Sequence, residues 1–385
     1  MALVDEAKRI AGELAAADAE GGELRRLPDG SWKLLQESGI LRALQPARFG
    51  GGEVRLVEFL DAVVELADAS PSAGWVAGVI GVHPWQLALF DDRAQQELWG
   101  DDPARAHSSS YNPTGKAERT EGGYTVSGRW SFSSGCDHCT AVNLGAIIRE
   151  PGAEIPEYRS FLLHPDQYRI EDNWHVAGLR GTGSKDIVVE PTFVPEHRSQ
   201  SHVDYALGLP LPGQAVNPGP LYRLPWSVVF NAALAASVLG AARGFVAAWT
   251  REAAGRVVPP GVKLADDPLT QRRLADAVWV LDATIATVRR VATELWERAE
   301  AGEIPTMEER GRYRWDINHG CDLVGQAVSD LMRAASGRTI YLDHPLQSRF
   351  QDIQGALGHA FLVPDPLAKA VGGALLGTST PELVL

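Results

Sequence analysis

Apolar positions repeat with two different periods along this chain, and the change of period divides it. Val4, Ala7, Ile10, Ala11 and Leu14 fall on one face of a 3.6-residue helix, and apolar runs over 55–68 and 73–90 continue that character to about residue 105. Pro46 and Gly50–Gly52 break this region into separate helices. From 106 to about 200 the segments shorten. Ala141–Ile148, Tyr158–Leu163 and Ile187–Val189 are bounded by Gly, Pro and Asp, and they predict strands. Residues 201–226, rich in Pro and Gly, read as a linker or lid. Helical spacing then returns. Leu274, Val278, Leu281, Ile285, Val288, Ala292 and Leu295 alternate steps of four and three, as do Ile317, Cys321, Val324, Val328, Leu331 and Ala335, which predicts long bundle helices. The expected architecture is α+β: an N-terminal helical domain (1–105), a central β domain (106–200) and a C-terminal helical bundle (227–385).

The most informative segment is 122–137. A glycine turn leads into Tyr124, Val126, Trp130 and Phe132 at alternate positions, a half-buried strand that ends in Ser133-Ser134-Gly135. Neither Ser nor Gly has bulk to hold a ligand away, so backbone and hydroxyl hydrogens at such an ending come close to a flat polar ligand.

Composition narrows the function classes. With 36 basic against 49 acidic residues, net −13, and no Lys/Arg cluster, a nucleic-acid partner is excluded. No uncharged apolar stretch reaches the roughly 18 residues of a membrane span, and charges in the first ten residues argue against a secretory leader. Three cysteines form no disulfide framework, which fits a soluble protein of the reducing cytoplasm. Cys136-Asp-His-Cys139 has the spacing of a zinc or redox motif but lacks a second ligand pair, so packing is expected there and no metal.

Segment 122–137, Gly178-Leu-Arg-Gly-Thr-Gly-Ser-Lys-Asp186 and the C-terminal Asp352…His359 together resemble the flavin-dependent monooxygenases built on the acyl-CoA dehydrogenase fold, from the first helix to about residue 365. The resemblance implies a tetramer assembled through the C-terminal helices. It places Ser134 beside flavin N5, where its hydroxyl opposes loss of peroxide from a C4a-hydroperoxyflavin, with Trp130, Phe132, Ser133 and Gly135 as its cofactor-binding neighbours. It places His83 over the reactive face, taking a phenolic proton or orienting the peroxide, and His359 on the C-terminal side of the same pocket. Arg251 resembles an arginine that reaches a flavin phosphate across a subunit boundary, although Ala254 stands where acyl-CoA dehydrogenases have Phe. Gln351 stands where many relatives have Arg, a role left to Arg349.

Two local readings remain open or conditional. The Gly178–Asp186 loop is either an anion-binding nest or a structural turn. The seven residues from Asp352 to His359 put both on one helical face if that helix is continuous. No dinucleotide fingerprint occurs, so electrons are expected as reduced FMN or FAD from a separate NAD(P)H-flavin reductase, with O2 as co-substrate. The implied reaction is hydroxylation of a small aromatic or polycyclic substrate, with N-oxygenation of an amine as the alternative. A dehydrogenase needs a carboxylate base near the C-terminus, yet no Glu lies between Glu309 and Glu382. A non-catalytic flavin-binding protein is the remaining alternative, and the joint presence of Ser134, His83 and His359 argues against it.

Overall fold

The computed structural model describes residues 2–148 and 157–378. Five helices come first: α1 (Leu3–Leu24), α2 (Asp29–Glu37), α3 (Leu56–Ala69), α4 (Pro71–Leu87) and α5 (Asp92–Trp99). Ser70 Oγ caps α4 by accepting from Ala73 N, and Pro71 occupies the first turn, where its missing N–H leaves no bond unmade. α4 is buried on almost every side. A Cβ on Gly74 would stand 2.3 Å from Ala67 Cα, and one on Gly81 would stand 2.6 Å from the Phe59 ring. This close approach of α3 fixes the rotation of α4 and therefore the directions of Trp75 and His83.

Seven strands follow: β1 (His107–Thr120), β2 (Gly123–Ser133), β3 (Ala141–Ile148), β4 (Glu157–Leu163), β5 (Arg169–Glu171), β6 (Lys185–Pro195) and β7 (Ser199–Ser201). Their order is β5-β6-β2-β1-β3-β4-β7, with β1 parallel to β3 and the other pairs antiparallel. Tyr124, Val126, Trp130, Leu144, Phe161 and Ile187 build the core of this domain. The predicted alternation along β2 holds through Trp130 and fails at Phe132. The register against β6 shifts between Trp130 and Ser133, Phe132 takes φ 68°, and its ring turns outward, 66% exposed.

Residues 201–226 are more closely packed than their Pro and Gly content predicts. They hold α6 (His202–Leu207) and two 3-10 turns, and Trp85 Nε1 of α4 donates to Leu221 O at 2.7 Å. Gly213 is needed for approach here, since a Cβ on it would lie 2.0 Å from Ala88 O. The bundle comprises α7 (Trp226–Gly255), a short β8–β9 hairpin (Val257–Val258, Val262–Lys263), α8 (Pro268–Glu300), α9 (Met307–Arg333), α10 (Pro345–Leu357) and α11 (Asp365–Leu376). Leu281, Val288 and Leu295 of α8 and Ile317, Val324 and Leu331 of α9 are buried along the predicted seams, whereas Val278, expected on the α8 seam, is exposed. Contrary to the sequence expectation, α7 is, among the described residues, one helix long and apolar enough to cross a membrane, but it is a core helix, packed on α3, α4, α9 and α10.

Candidate active site

Ser134 lies where the end of β2, helix α4 and the Gly178–Asp186 loop meet. Gly135 turns the chain at φ 69°, and its bare backbone fits against Val76 and Ile80 of α4. Trp75 of α4 donates its Nε1–H to Ser134 Oγ at 3.1 Å. From the opposite side Ser184 Oγ lies 2.8 Å from Ser134 Oγ, and Thr182 Oγ lies 2.7 Å from Ser184 Oγ. Thr182 Oγ in turn donates to Leu179 O at 2.8 Å. The loop therefore delivers a row of hydroxyls to Ser134.

In that loop one amide is turned inward, as a structural turn requires. Leu179 adopts φ 54°, and its N–H, which a nest would offer to an outside anion, donates to Asp352 Oδ1 at 2.6 Å. Gly178 permits this approach: a Cβ there would meet Gln351 O at 2.0 Å. Burial raises the Asp352 carboxyl to about 7. Arg349 is engaged elsewhere, donating to Asp68 O and Ala69 O at the C-terminal end of α3.

Asp352 and His359 do not share a helical face, because α10 ends at Leu357. His359 instead caps a single 3-10 turn, its Nδ1 accepting from Phe361 N at 3.1 Å, which leaves the proton on Nε2. Its ring stands 5.8 Å from that of Trp75, so it joins the Ser134 side of the site as a neutral imidazole, held at about 4 by desolvation.

His83 lies two turns beyond Trp75 on α4, about 12 Å further along the axis. Its Nδ1 lies 2.8 Å from His107 O, and a carbonyl only accepts, so Nδ1 carries the proton. Nε2 then accepts from Ser109 Oγ at 2.8 Å. Burial lowers this imidazole to about 4, which keeps it neutral, with the Nε2 lone pair available to accept from Ser109. Ser109 was missed in the sequence, although the run Ser108-Ser-Ser-Tyr111 is visible there and period-two alternation puts His107, Ser109 and Tyr111 on one face of β1. Trp75, Thr182 and Ser184 were not singled out either. Trp75 sits in an apolar helix that marks none of its faces.

Beyond Ser109 an aromatic wall begins. The Tyr111 ring meets Phe230 and Trp226 edge-on, each at 5.4 Å, and His202 stacks on Tyr158 at 4.1 Å. The Tyr111 hydroxyl donates to Gln86 Oε1. In and around this wall Gln86 Nε2, His202 Nε2, Tyr205 OH and Trp226 Nε1 are buried without hydrogen-bond partners. Each such group costs about 1–3 kcal/mol unless something pairs with it.

Several expected cofactor residues are placed differently. Trp130 is fully buried in the sheet core and donates its Nε1–H to Gly145 O at 2.7 Å, so its ring faces away from the Ser134 site. Ser133 is likewise engaged inside the sheet, donating to Ser108 Oγ at 3.0 Å. Phe132 is exposed and edge-on to Trp174 at 6.1 Å, and Gly135 borders Ser134. Arg251 is exposed near the C-terminal end of α7, with none of these residues among its hydrogen-bond or ion-pair partners. Cys136 donates to Gly183 O at 3.5 Å with its thiol pushed up to about 12 by burial, and His138 stacks on Trp32 at 4.9 Å.

The family model for the acyl-CoA dehydrogenase C-terminal domain matches residues 232–364. The chain is similar to the flavin-dependent monooxygenase oxygenase subunit HsaA of Rhodococcus jostii strain RHA1, 37% identical over 348 residues, covering 90% of this chain and 91% of that one. Among solved structures it is similar to the 3-HSA hydroxylase from Rhodococcus sp. RHA1, with TM-score 0.94, 34% identity and coverage of 100% and 99%. It is also similar to XiaF from Streptomyces sp. in complex with FADH2 and glycerol, with TM-score 0.89, 28% identity and coverage of 98% and 96%.

Proposed function

This chain belongs to the flavin-dependent monooxygenases built on the acyl-CoA dehydrogenase fold, as the oxygenase component of a two-component system, and from that premise we propose that it hydroxylates a phenolic ring held against Ser109 and the Tyr111 wall. The residues present suit a reduced flavin: Ser134 keeps a free acceptor site, Phe132 offers exposed ring surface beside the half-buried Trp174, and Trp75 and His359 close the other side. When bound, the reduced flavin supplies the electrons with which O2 is activated, and a separate flavin reductase supplies the flavin.

The observation that carries the substrate reading is the His83–Ser109 pair. A phenol entering the aromatic recess donates to Ser109 Oγ, while the Ser109 proton is already directed at His83 Nε2. The proton leaves the phenol through Ser109 to Nε2, which raises electron density at the ring carbon to be hydroxylated. His107 O holds the tautomer that makes this possible. On the cofactor side, Ser134 would offer its free acceptor site to flavin N5, and His359 would orient the closing wall.

Assembly through the C-terminal helices is part of this reading. Ile340, Leu342, Leu375 and Leu376 are each at least 76% exposed in one chain, apolar side chains that a subunit contact would cover. A homotetramer covers such surface and brings Arg251 of one copy toward the flavin of another. Three free thiols fit a cytoplasmic setting.

The test is single turnover with photoreduced FMN or FAD, O2 and a panel of substituted phenols and matched anilines. Ring-hydroxylated phenol is the expected product. Exclusive oxygenation of the aniline nitrogen would overturn the substrate assignment, and rapid NADH oxidation by the isolated chain would overturn the division of labour with a reductase.

A further inference from the structure

We propose that Thr182 and Ser184 are positioning residues that fix the hydroxyl of Ser134 as a hydrogen-bond acceptor, so that the site discriminates reduced from oxidised flavin. This rests on the flavin reading of the Ser134 site. The inference follows from counting protons along the row of hydroxyls. Leu179 O only accepts, so the Thr182 hydroxyl donates to it. Thr182 Oγ has one proton and has used it, so across the 2.7 Å contact Ser184 is the donor. Ser184 has then used its own proton, so across the 2.8 Å contact Ser134 is the donor. Trp75 Nε1 has no lone pair to offer and donates into Ser134. The Ser134 oxygen is left with one lone pair and no proton for a further ligand.

Reversing the row would leave the lone pairs of Thr182 Oγ and Leu179 O facing each other at 2.8 Å. The anchor itself is held from two directions. Leu179 N is tied to Asp352 on α10, and Trp174 Nε1 also donates to Leu179 O, at 3.1 Å. Thr182, Ser184 and Ser134 are all buried, so water does not compete to reorient them. Reduced flavin presents N5–H, a donor, whereas oxidised flavin presents a bare N5, an acceptor. A Ser134 restricted to accepting pairs with the first and opposes the second.

The test is titration of the purified chain with reduced flavin under anaerobic conditions and with oxidised flavin in air, supported by the midpoint potential of bound flavin. Wild type is expected to bind the reduced form more tightly. In Ser184→Ala the Ser134 proton loses its acceptor and turns toward N5, and in Thr182→Val the Ser184 proton is released to reverse the row. Both variants are expected to lower the reduced-to-oxidised affinity ratio by roughly three- to tenfold, a tenfold change being about 30 mV in a two-electron potential. Thr182→Ser keeps the hydroxyl and is expected to keep the wild-type ratio. If Thr182→Val fails to fold, Ser184→Ala decides alone. An unchanged ratio in folded variants, or equal wild-type affinity for the two forms, would overturn the proposal while leaving flavin binding intact. Failure of wild type to bind either form would instead remove the flavin site on which it rests.

Discussion

The two halves of the site are finished to different degrees. Around Ser134 every hydroxyl has its partner: Trp75, Ser184, Thr182 and Leu179 form one row with a defined direction. Around Tyr111, two turns along α4, Gln86, His202, Tyr205 and Trp226 each keep a buried polar atom without one. A row with a fixed direction presents only one hydrogen-bonding pattern, which suits one form of a ligand and opposes the other. A wall with unpaired groups suits a ligand that supplies the missing partners itself, and its specificity is set by which groups go unpaired when the wrong molecule enters. The complete half reads as the cofactor side and the incomplete half as the substrate side.

The largest expected effect lies at the junction of the two halves. His83→Ala removes the base behind Ser109 and is expected to slow hydroxylation by about 10²–10⁴-fold, while reduced-flavin binding at the Ser134 side stays near wild type. Product formation measured beside flavin affinity checks this. Equal losses in both would mean that His83 holds the fold of α4 rather than the substrate.

A second effect tests whether the cofactor side is rigid because of its anchor. Asp352 faces Leu179 N, with Asp18, Arg349 and Arg180 as its charged neighbours, and burial holds its carboxyl at about 7 in the folded chain. Unfolded, it returns to an ordinary carboxylate value, so between about 4 and 7 the folded state binds more protons than the unfolded one. This contribution to stability is complete below about 4 and is lost as pH rises to about 7. Asp352→Asn keeps an oxygen for Leu179 N and is expected to flatten the fall in Tm across that window. A slope identical to wild type would show that Asp352 titrates normally.

The sequence shows the layers more clearly than the site. Bundle seams at Leu281–Val288–Leu295 and the apolar strands of the sheet are legible because periodicity reports burial directly. Ser134, His83 and His359 were singled out through motif resemblance, and the structure places Ser134 and His359 on either side of Trp75. What escaped was what depends on direction. Phe132 continues an alternation in the sequence, and only the register shift against β6 shows that its ring faces out and that of Trp130 faces in. Asp352 and His359 keep a helical spacing, but α10 stops between them. Ser109, Thr182 and Ser184 are small hydroxyl residues of a kind common in strands and loops, and their meaning arises from partners 26, 3 and 50 residues away.

Ser134→Ala is the third test, and it acts on a side where nothing is spare. Removing the hydroxyl leaves the Trp75 indole donor buried without an acceptor, so a stability loss of about 1–3 kcal/mol is expected. The hydrogen bond proposed between Ser134 and N5, worth about 0.5–1.5 kcal/mol, would go with it and should raise hydrogen peroxide release per product several-fold. Thermal unfolding and a peroxide assay separate the two effects. A variant as stable as wild type would mean that water replaces the hydroxyl and that this half is less complete than its hydrogen bonds indicate.

The smallest expected effect makes the contrast sharpest, because it removes the same chemical group from the other half. Tyr205 is buried, its ring stacks with Trp226 at 5.9 Å, and its hydroxyl lacks a partner. Tyr205→Phe keeps the ring and deletes only the oxygen. In the free chain that oxygen is a desolvated group with only the Gln86 side chain near it, so Tm is expected to stay level or rise, by no more than about 1 kcal/mol of stability. In the complex the same oxygen pairs with a polar group of the substrate, so KM is expected to rise several-fold with little change in kcat, the pattern of lost uniform binding. Hydroxyl deletion would then destabilise at Ser134 and not at Tyr205, while weakening substrate binding at Tyr205 and not at Ser134. A Tyr205→Phe variant that loses stability with KM unchanged would show the hydroxyl to be part of the fold, and the aromatic wall would no longer differ in kind from the cofactor side.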